Sequence, residues 1–249
     1  MRIPVIKGII RRRMLVNFRL DPEVAARQLP GPFRPKLHRG HAIGGVCLIR
    51  LEDVRPRGVP AVLGINSENA AHRFAVEWTD EDGAQQEGVF VPRRDTSLWL
   101  NHMAGGRIFP GEHHLADFKV IDIEGRLDFQ MESQDGSMQV RLLAEETGTW
   151  PEDSCFPSLA EASAYFETGQ VGWSVTRDPG RLDGLELDIS AWQVGALTVT
   201  EAHSSYFAET ARFPKGSMQF DHALIMRDME HQWRSVDDLC CAPPAGRAT

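Results

Sequence analysis

Short apolar runs broken by glycine, proline and polar pairs recur along the chain, and apolar residues spaced three and four apart are rare. That pattern predicts strands, since a period of two gives a pleated ribbon one buried face. Residues 14–18 (MLVNF) read as a short apolar strand. A helix follows, with Asp21 placed to cap it and Pro22 at its first position. Val24, Ala25 and Leu29 form its apolar side, and Pro30-Gly31-Pro32 ends it. Residues 41–51 form a long apolar strand in which Gly44-Gly45 marks a bulge or a close backbone approach. Residues 55–64 are an arginine-bearing loop, 71–79 a strand, 80–83 a tight turn and 88–92 another strand. Residues 96–104 read as a helix capped by Thr96 and stopped by Gly105-Gly106.

Alternation continues through 117–123, 126–131 and 137–144, with Gln134-Asp135-Gly136 as a hairpin turn. Ser158 and Glu161 make a capping box opening a helix to about Glu167, whose Tyr165-Phe166 pair reads as core. Residues 171–176, 185–189 and 193–202 are three more strands, and 220–226 a last one. No repeat, low-complexity segment or linker interrupts this series. The expectation is a single domain over 1–249, mainly β with a few flanking helices and a mostly antiparallel sheet system, and residues from about 240 as a frayed tail.

Composition narrows the function classes. A hydrophobic content of 42% in 249 residues fills a sizeable core. The net charge of −8 gives nucleic-acid binding no global support. The one basic cluster, Arg11-Arg12-Arg13 with Arg2 and Lys7 before it, reads as a strand with a charged face. No run of about 18 apolar residues predicts a membrane span. The start, MRIPVIKGIIRRR, lacks the apolar core and cleavage site of a signal peptide, and Cys47, Cys155, Cys240 and Cys241 show no CxxC spacing. Both point to reduced thiols in a cytoplasmic protein.

Candidate chemistry concentrates in residues 105–119, GGRIFPGEHHLADFK. Adjacent His113 and His114 on an extended segment point to opposite faces, so at most one meets a given pocket, whereas an irregular turn lets both converge. That histidine, with Glu112 beside it, serves proton transfer or metal ligation; the plain alternative is a polar turn with one packed and one exposed ring. Arg93 and Arg94, ahead of the predicted helix, suit an anion at its N-terminus or a surface Arg–Asp pair with Asp95. Arg107, between glycines and an apolar pair, reads as partly buried and in need of a carboxylate or an anionic ligand. His38 and His41 have HxxH spacing at a loop-to-strand junction, without the helical geometry of a zinc-protease motif. No recognised metal-ligand spacing occurs, and GxSxG, Walker and GxGxxG motifs are absent, so no metal or cofactor is expected.

Three segments, RMLVNFRLDPEVAARQLPGPFRP (13–35), HAIGGVCLIRLEDVRPRGVP (41–60) and GVFVPRRDTSLWLNHMAGGRIFPGEHHLADF (88–118), resemble the YqjF-like proteins of the acetoacetate decarboxylase-like superfamily. LELDISAWQVGALTVTEAH (185–203) and FDHALI (220–225) suit that superfamily's C-terminal half. The resemblance implies a closed or partly closed antiparallel β-barrel around a buried pocket, usually assembled as an oligomer. In the decarboxylases a Gly-Arg pair precedes a Lys-Lys segment whose lysine forms a Schiff base with a β-keto acid. Here Gly106-Arg107 matches the Gly-Arg pair, and His113-His114 stands in the lysine positions. Arg11 falls where decarboxylases place a substrate-contacting arginine, and Glu68 near their pocket glutamate. An imidazole forms no iminium, and Lys119 is too far along its strand to replace the missing lysine, so Schiff-base decarboxylation is not expected. The leading expectation is an enzyme acting on a small organic acid or carbonyl compound by histidine acid/base chemistry, with Arg11 or Arg107 holding an anionic group. The alternatives are a non-catalytic ligand-binding protein and a metal-dependent hydrolase.

Overall fold

The computed structural model of the chain describes residues 5–99, 111–178 and 180–240. The strands are β1 (Ile6–Leu20), β2 (Arg34–Pro35), β3 (Leu37–His38), β4 (His41–Pro56), β5 (Ile65–Thr79), β6 (Gln85–Thr96), β7 (His113–Ile123), β8 (Arg126–Ser133), β9 (Gln139–Glu145), β10 (Val171–Val175), β11 (Arg181–Ile189), β12 (Gly195–Ser204) and β13 (Met218–Cys240). Short α-helices among the described residues include α1 (Pro22–Ala26), α2 (Leu159–Glu167) and α3 (Ser205–Ala208). No helix among the described residues is long and apolar enough to cross a membrane.

The sheet closes on itself twice. A larger ring runs β6-β7-β8-β9-β12-β13-β1-β4-β5 and back to β6. A smaller ring runs β6-β10-β11-β13-β1-β4-β5 and shares the long strands with the first. Pairing is antiparallel except at β6–β7 and β6–β10. This is the expected mainly β, partly closed barrel with helices at its flanks.

Because the shared strands separate two rings, both of their faces are buried. Met14, Val16 and Phe18 of β1 join Phe129 and Leu142 in one core, while Leu15 joins Ile43, Cys47 and Leu224 in the other. Strands buried on both faces read as continuous apolar runs, which explains residues 41–51. Gly45 is required by close packing: a Cβ there would sit 2.3 Å from the Val16 carbonyl oxygen.

One irregularity in β1 decides which arginine goes where. Ile10 pairs with Leu51 and Arg12 with Arg50, leaving Arg11 as an extra residue opposite β4. The bulge reverses side-chain parity, so Ile6 and Ile10 before it share a core with Leu15 after it.

Local capping chemistry holds. The Asp21 side chain accepts from the Glu23 and Val24 amides, and Ser158 accepts from the Glu161 amide. Two expectations are corrected. Residues 93–96 extend β6, with Asp95 opposite Ala70 and Thr96 opposite Asn69, so Thr96 ends a strand, and helical backbone begins only at Trp99. The rest of that expected helix, 100–104, lies outside the described residues. The last strand does not stop at Met226 but continues to Cys240, because its polar second half pairs with β11. Cys240 is therefore a strand residue, and 241–249 lie outside the described residues.

Candidate functional site

A cavity of about 130 Å³ lies inside the smaller ring, and every strand of that ring contributes to its wall. Ile49, Leu51, Val89, Val91, Leu185 and Leu187 make the wall mostly apolar, and α2 adds Phe166. Against this background stand three guanidinium groups, Arg13, Arg73 and Arg94, and one imidazole, His113.

Arg94 Nε donates to Ser174 Oγ at 2.9 Å. Burial lowers its pKa to about 10. Arg73 Nη2 donates to Asn17 Oδ1 at 2.6 Å, and its guanidinium lies 5.0 Å from the Phe166 ring centre. Burial likewise lowers its pKa to about 10. Arg13 Nε and Nη1 and Arg73 Nε are buried without a hydrogen-bond partner among the described residues. Asp95 touches the same wall, but both its oxygens accept from Arg93, at 2.8–3.2 Å. The cavity thus gathers positive charge that no described carboxylate neutralises. A buried cation without a counter-charge is costly, and an anionic ligand relieves that cost.

The elements that place these groups are short-range. A bulge in β6, where residues 91 and 92 together oppose Arg73, turns Arg94 to the face of Val89 and Val91. Arg94 and His113 are register partners across the parallel β6–β7 joint, so their side chains stand side by side on the cavity wall. Gly111, at φ 89°, turns the chain into β7 where a Cβ would lie 2.6 Å from that of Ser174. Its amide donates to Asp183 Oδ2 at 3.0 Å, and its carbonyl lies 3.2 Å from His113 Nδ1.

The residues singled out from sequence divide. His113 and Arg94 reach the cavity. His114 points to the other face, 3.5 Å from Asp135, and burial lowers its pKa. Glu112 lies 4.0 Å from Arg177, away from the cavity. Arg93 shares the His114 face and pairs with Asp95 and Asp135; the Arg–Asp pair forms, but with Asp95 fully buried rather than at the surface. Arg11, the bulged residue, is half exposed and pairs with Glu52 and Asp228; Arg13 reaches the cavity instead. Glu68 lies outside the cavity, 2.8 Å from Arg12 and 3.9 Å from Arg50, and burial raises its pKa against their pull. Arg107 lies outside the described residues. Arg73 is not among the residues singled out from sequence, although a lone arginine in the stretch AAHRFAV (70–76) is a readable sign of a buried charge. Among the described residues no three His, Cys, Asp or Glu side chains group as metal ligands, so the hydrolase alternative finds no donor set there.

Three histidines outside the cavity lining, His72, His222 and His231, are also buried. Burial lowers the pKa of His72 to about 3 and of His231 to about 4, and lowers that of His222. A base whose folded pKa is depressed contributes stability that is complete above its unfolded pKa of about 6.5 and is lost as pH falls toward the folded value. Each of the three costs up to about 1.4 kcal/mol per pH unit in that window. Glu68 and Asp95, whose pKa values burial raises, act in the opposite sense only nearer the carboxylate range. Urea midpoints should fall steadily from pH 7 to pH 5; a flat profile would mean these imidazoles are solvated.

No curated protein matches the chain. Solved structures do. The acetoacetate decarboxylase of Legionella pneumophila subsp. pneumophila str. Philadelphia 1 has a TM-score of 0.61 at 15% identity, over 94% of this chain and 87% of its own. An acetoacetate decarboxylase-like enzyme from Sphingomonas wittichii RW1 has a TM-score of 0.58 at 9% identity, over 97% and 94%. The enduracididine biosynthesis enzyme MppR, complexed with pyruvate, has a TM-score of 0.54 at 12% identity, over 96% and 91%. At these identities the likeness concerns the fold, which is acetoacetate decarboxylase-like. A family model covers residues 10–225, well over half the length, and by that match the chain belongs to DUF2071, the uncharacterized conserved protein family COG2071.

Proposed function

We propose that the chain is a YqjF-like member of this fold that binds a small organic acid in the smaller ring and uses His113 for proton transfer beside the bound carboxylate. The observation that carries the reading is the trio Arg13, Arg73 and Arg94 on a mostly apolar wall, with no described carboxylate paired to any of them. A carboxylate matches the guanidinium fork, and its alkyl or oxo end suits the apolar remainder. The β6–β7 register sets the His113 imidazole beside Arg94, next to where the carbon or carbonyl adjoining a bound carboxylate would lie.

Reaction without an iminium is part of the same proposal. The lysines of the chain are Lys7, Lys36, Lys119 and Lys215, and none lines the cavity. Lys36 Nζ is bonded to Glu87 and to Thr168, and Lys119 lies on the exposed face of β7. With no cavity amine, a carbonyl substrate is polarised by Arg94 and protonated or deprotonated by His113.

The test uses pyruvate, acetoacetate and succinate as probes. Calorimetry should register binding, and NMR should show enzyme-dependent exchange of the protons next to the carbonyl of pyruvate for deuterium. His113→Asn should keep the affinity and lose the exchange. Binding with no exchange in the wild-type protein would move the assignment to a ligand carrier, and no binding at millimolar acid would overturn the reading.

A further inference from the structure

A buried chain of hydrogen bonds runs from β13 to the cavity wall, and the chemistry proposed above uses none of its first three members. The Asp221 carboxylate is fully enclosed. Its Oδ1 accepts from Ser154 Oγ and from His222 Nδ1, both at 2.6 Å. Its Oδ2 accepts from the Cys155 amide at 2.9 Å and from Arg19 Nη1 at 3.1 Å. His222 Nε2 lies 2.9 Å from Asn17 Nδ2. The same Asn17 nitrogen donates to the Leu15 carbonyl at 3.1 Å, and Asn17 Oδ1 accepts from Arg73 Nη2 at 2.6 Å. Asn17, Arg73, Asp221 and His222 are all at most 3% exposed.

The neighbours of Asn17 fix its amide orientation. A carbonyl oxygen only accepts, and a guanidinium only donates. A reversed amide would set oxygen against the Leu15 oxygen and NH2 against Arg73. Asn17 therefore spends one N–H on Leu15 and the other on His222. His222 Nε2 must then carry its lone pair, and the ring proton must sit on Nδ1, donated to Asp221. Trp150, Phe156 and Phe166 rings lie 5.0–5.8 Å from the imidazole centre and keep this chain in an apolar shell, where each hydrogen bond is stronger.

We propose that Asp221, His222 and Asn17 form a polarity relay that aims the Arg73 guanidinium at the acid in the cavity. The proposal rests on the acid-binding reading of that cavity. Asn17 holds Arg73 through one terminal nitrogen, and Phe166 supports its flat face. Arg73 Nε, buried without a partner among the described residues, stays available to the ligand. The three relay members touch no ligand; they are positioning residues. Their effect on affinity passes only through Arg73.

That last property is testable by a double-mutant cycle with pyruvate and succinate as probes. His222→Leu should weaken acid binding about tenfold in the wild-type background, the scale of one hydrogen bond to a charged group. In the Arg73→Met background the same change should alter affinity by less than about twofold. His222→Gln, which keeps both a donor for Asp221 and an acceptor for Asn17, should restore binding to within about threefold of wild type. Equal losses from His222→Leu in both backgrounds would overturn the relay and leave the cavity reading standing, with Arg94→Met still weakening binding at least about 30-fold. Failure of the wild-type protein to bind either acid would overturn both. Nitrogen-15 NMR of His222 needs no variant: at pH 7 it should show the Nδ1–H tautomer, and an Nε2–H tautomer would refute the relay.

Discussion

Replacing Asp221 by alanine is expected to remove about 3–5 kcal/mol of folding stability, because it strips one buried carboxylate from four donors at once. The Ser154 hydroxyl, Cys155 amide and His222 Nδ1–H lose this acceptor inside the fold, and the Arg19 guanidinium keeps only the Asp153 carbonyl. Three of those groups belong to elements distant in sequence, so the carboxylate ties residues 153–155 and β1 to β13. Burial pushes the Asp221 pKa up, but the bonds from His222, Ser154 and Cys155 outweigh it and hold the group well below the usual carboxylate range. The sign follows: an acid with a depressed folded pKa stabilises above its unfolded pKa of about 3.9, so the whole loss is visible at pH 7. Urea unfolding should show a lower midpoint with an unchanged slope. Asp221→Asn, which keeps one acceptor oxygen, should lose less. A loss below about 1 kcal/mol in the alanine variant would show that water replaces the carboxylate.

Arg94→Met should act in opposite directions on stability and on ligand. In the ligand-free protein, Arg94 is a buried cation with one neutral partner, Ser174, and a pKa lowered by burial. A methionine of similar length fills the same apolar space without that desolvation cost, so the melting temperature should rise by several degrees. Acid binding should fall about 30-fold to 1,000-fold, or about 2–4 kcal/mol, the scale of removing one member of a buried charge pair. Calorimetry with pyruvate and succinate, beside a thermal melt, reads both. A variant that melts lower and binds as well as wild type would make Arg94 a structural residue.

The placement of His113 and Arg94 depends on information at two ranges. That His113 and His114 face opposite ways follows from the pleat, and their neighbouring residues suffice to infer it. The same holds for the Asp21 and Ser158 caps and for the alternating strands β7, β8 and β9. Arg94 is different: the reason to single it out was a helix N-terminus, whereas it reaches the cavity from a bulged strand.

Local periodicity and capping therefore determined a mainly β chain, most of its strands, two of its helices and the segment that carries the imidazole. The tertiary structure alone decided which arginines share the cavity. Arg13 replaces Arg11 because a one-residue bulge against β4 reverses the parity of β1, and no residue within β1 announces it. Arg73 becomes a cavity residue because β5 is buried between two rings. The length of β13 was hidden for a related reason, since its polar half is held by pairing with β11 and carries little apolar signal of its own. The Asn17–His222 contact joins residues 205 positions apart. Register and ring closure are set by such distant pairings, while sequence patterns report what each residue's near neighbours require.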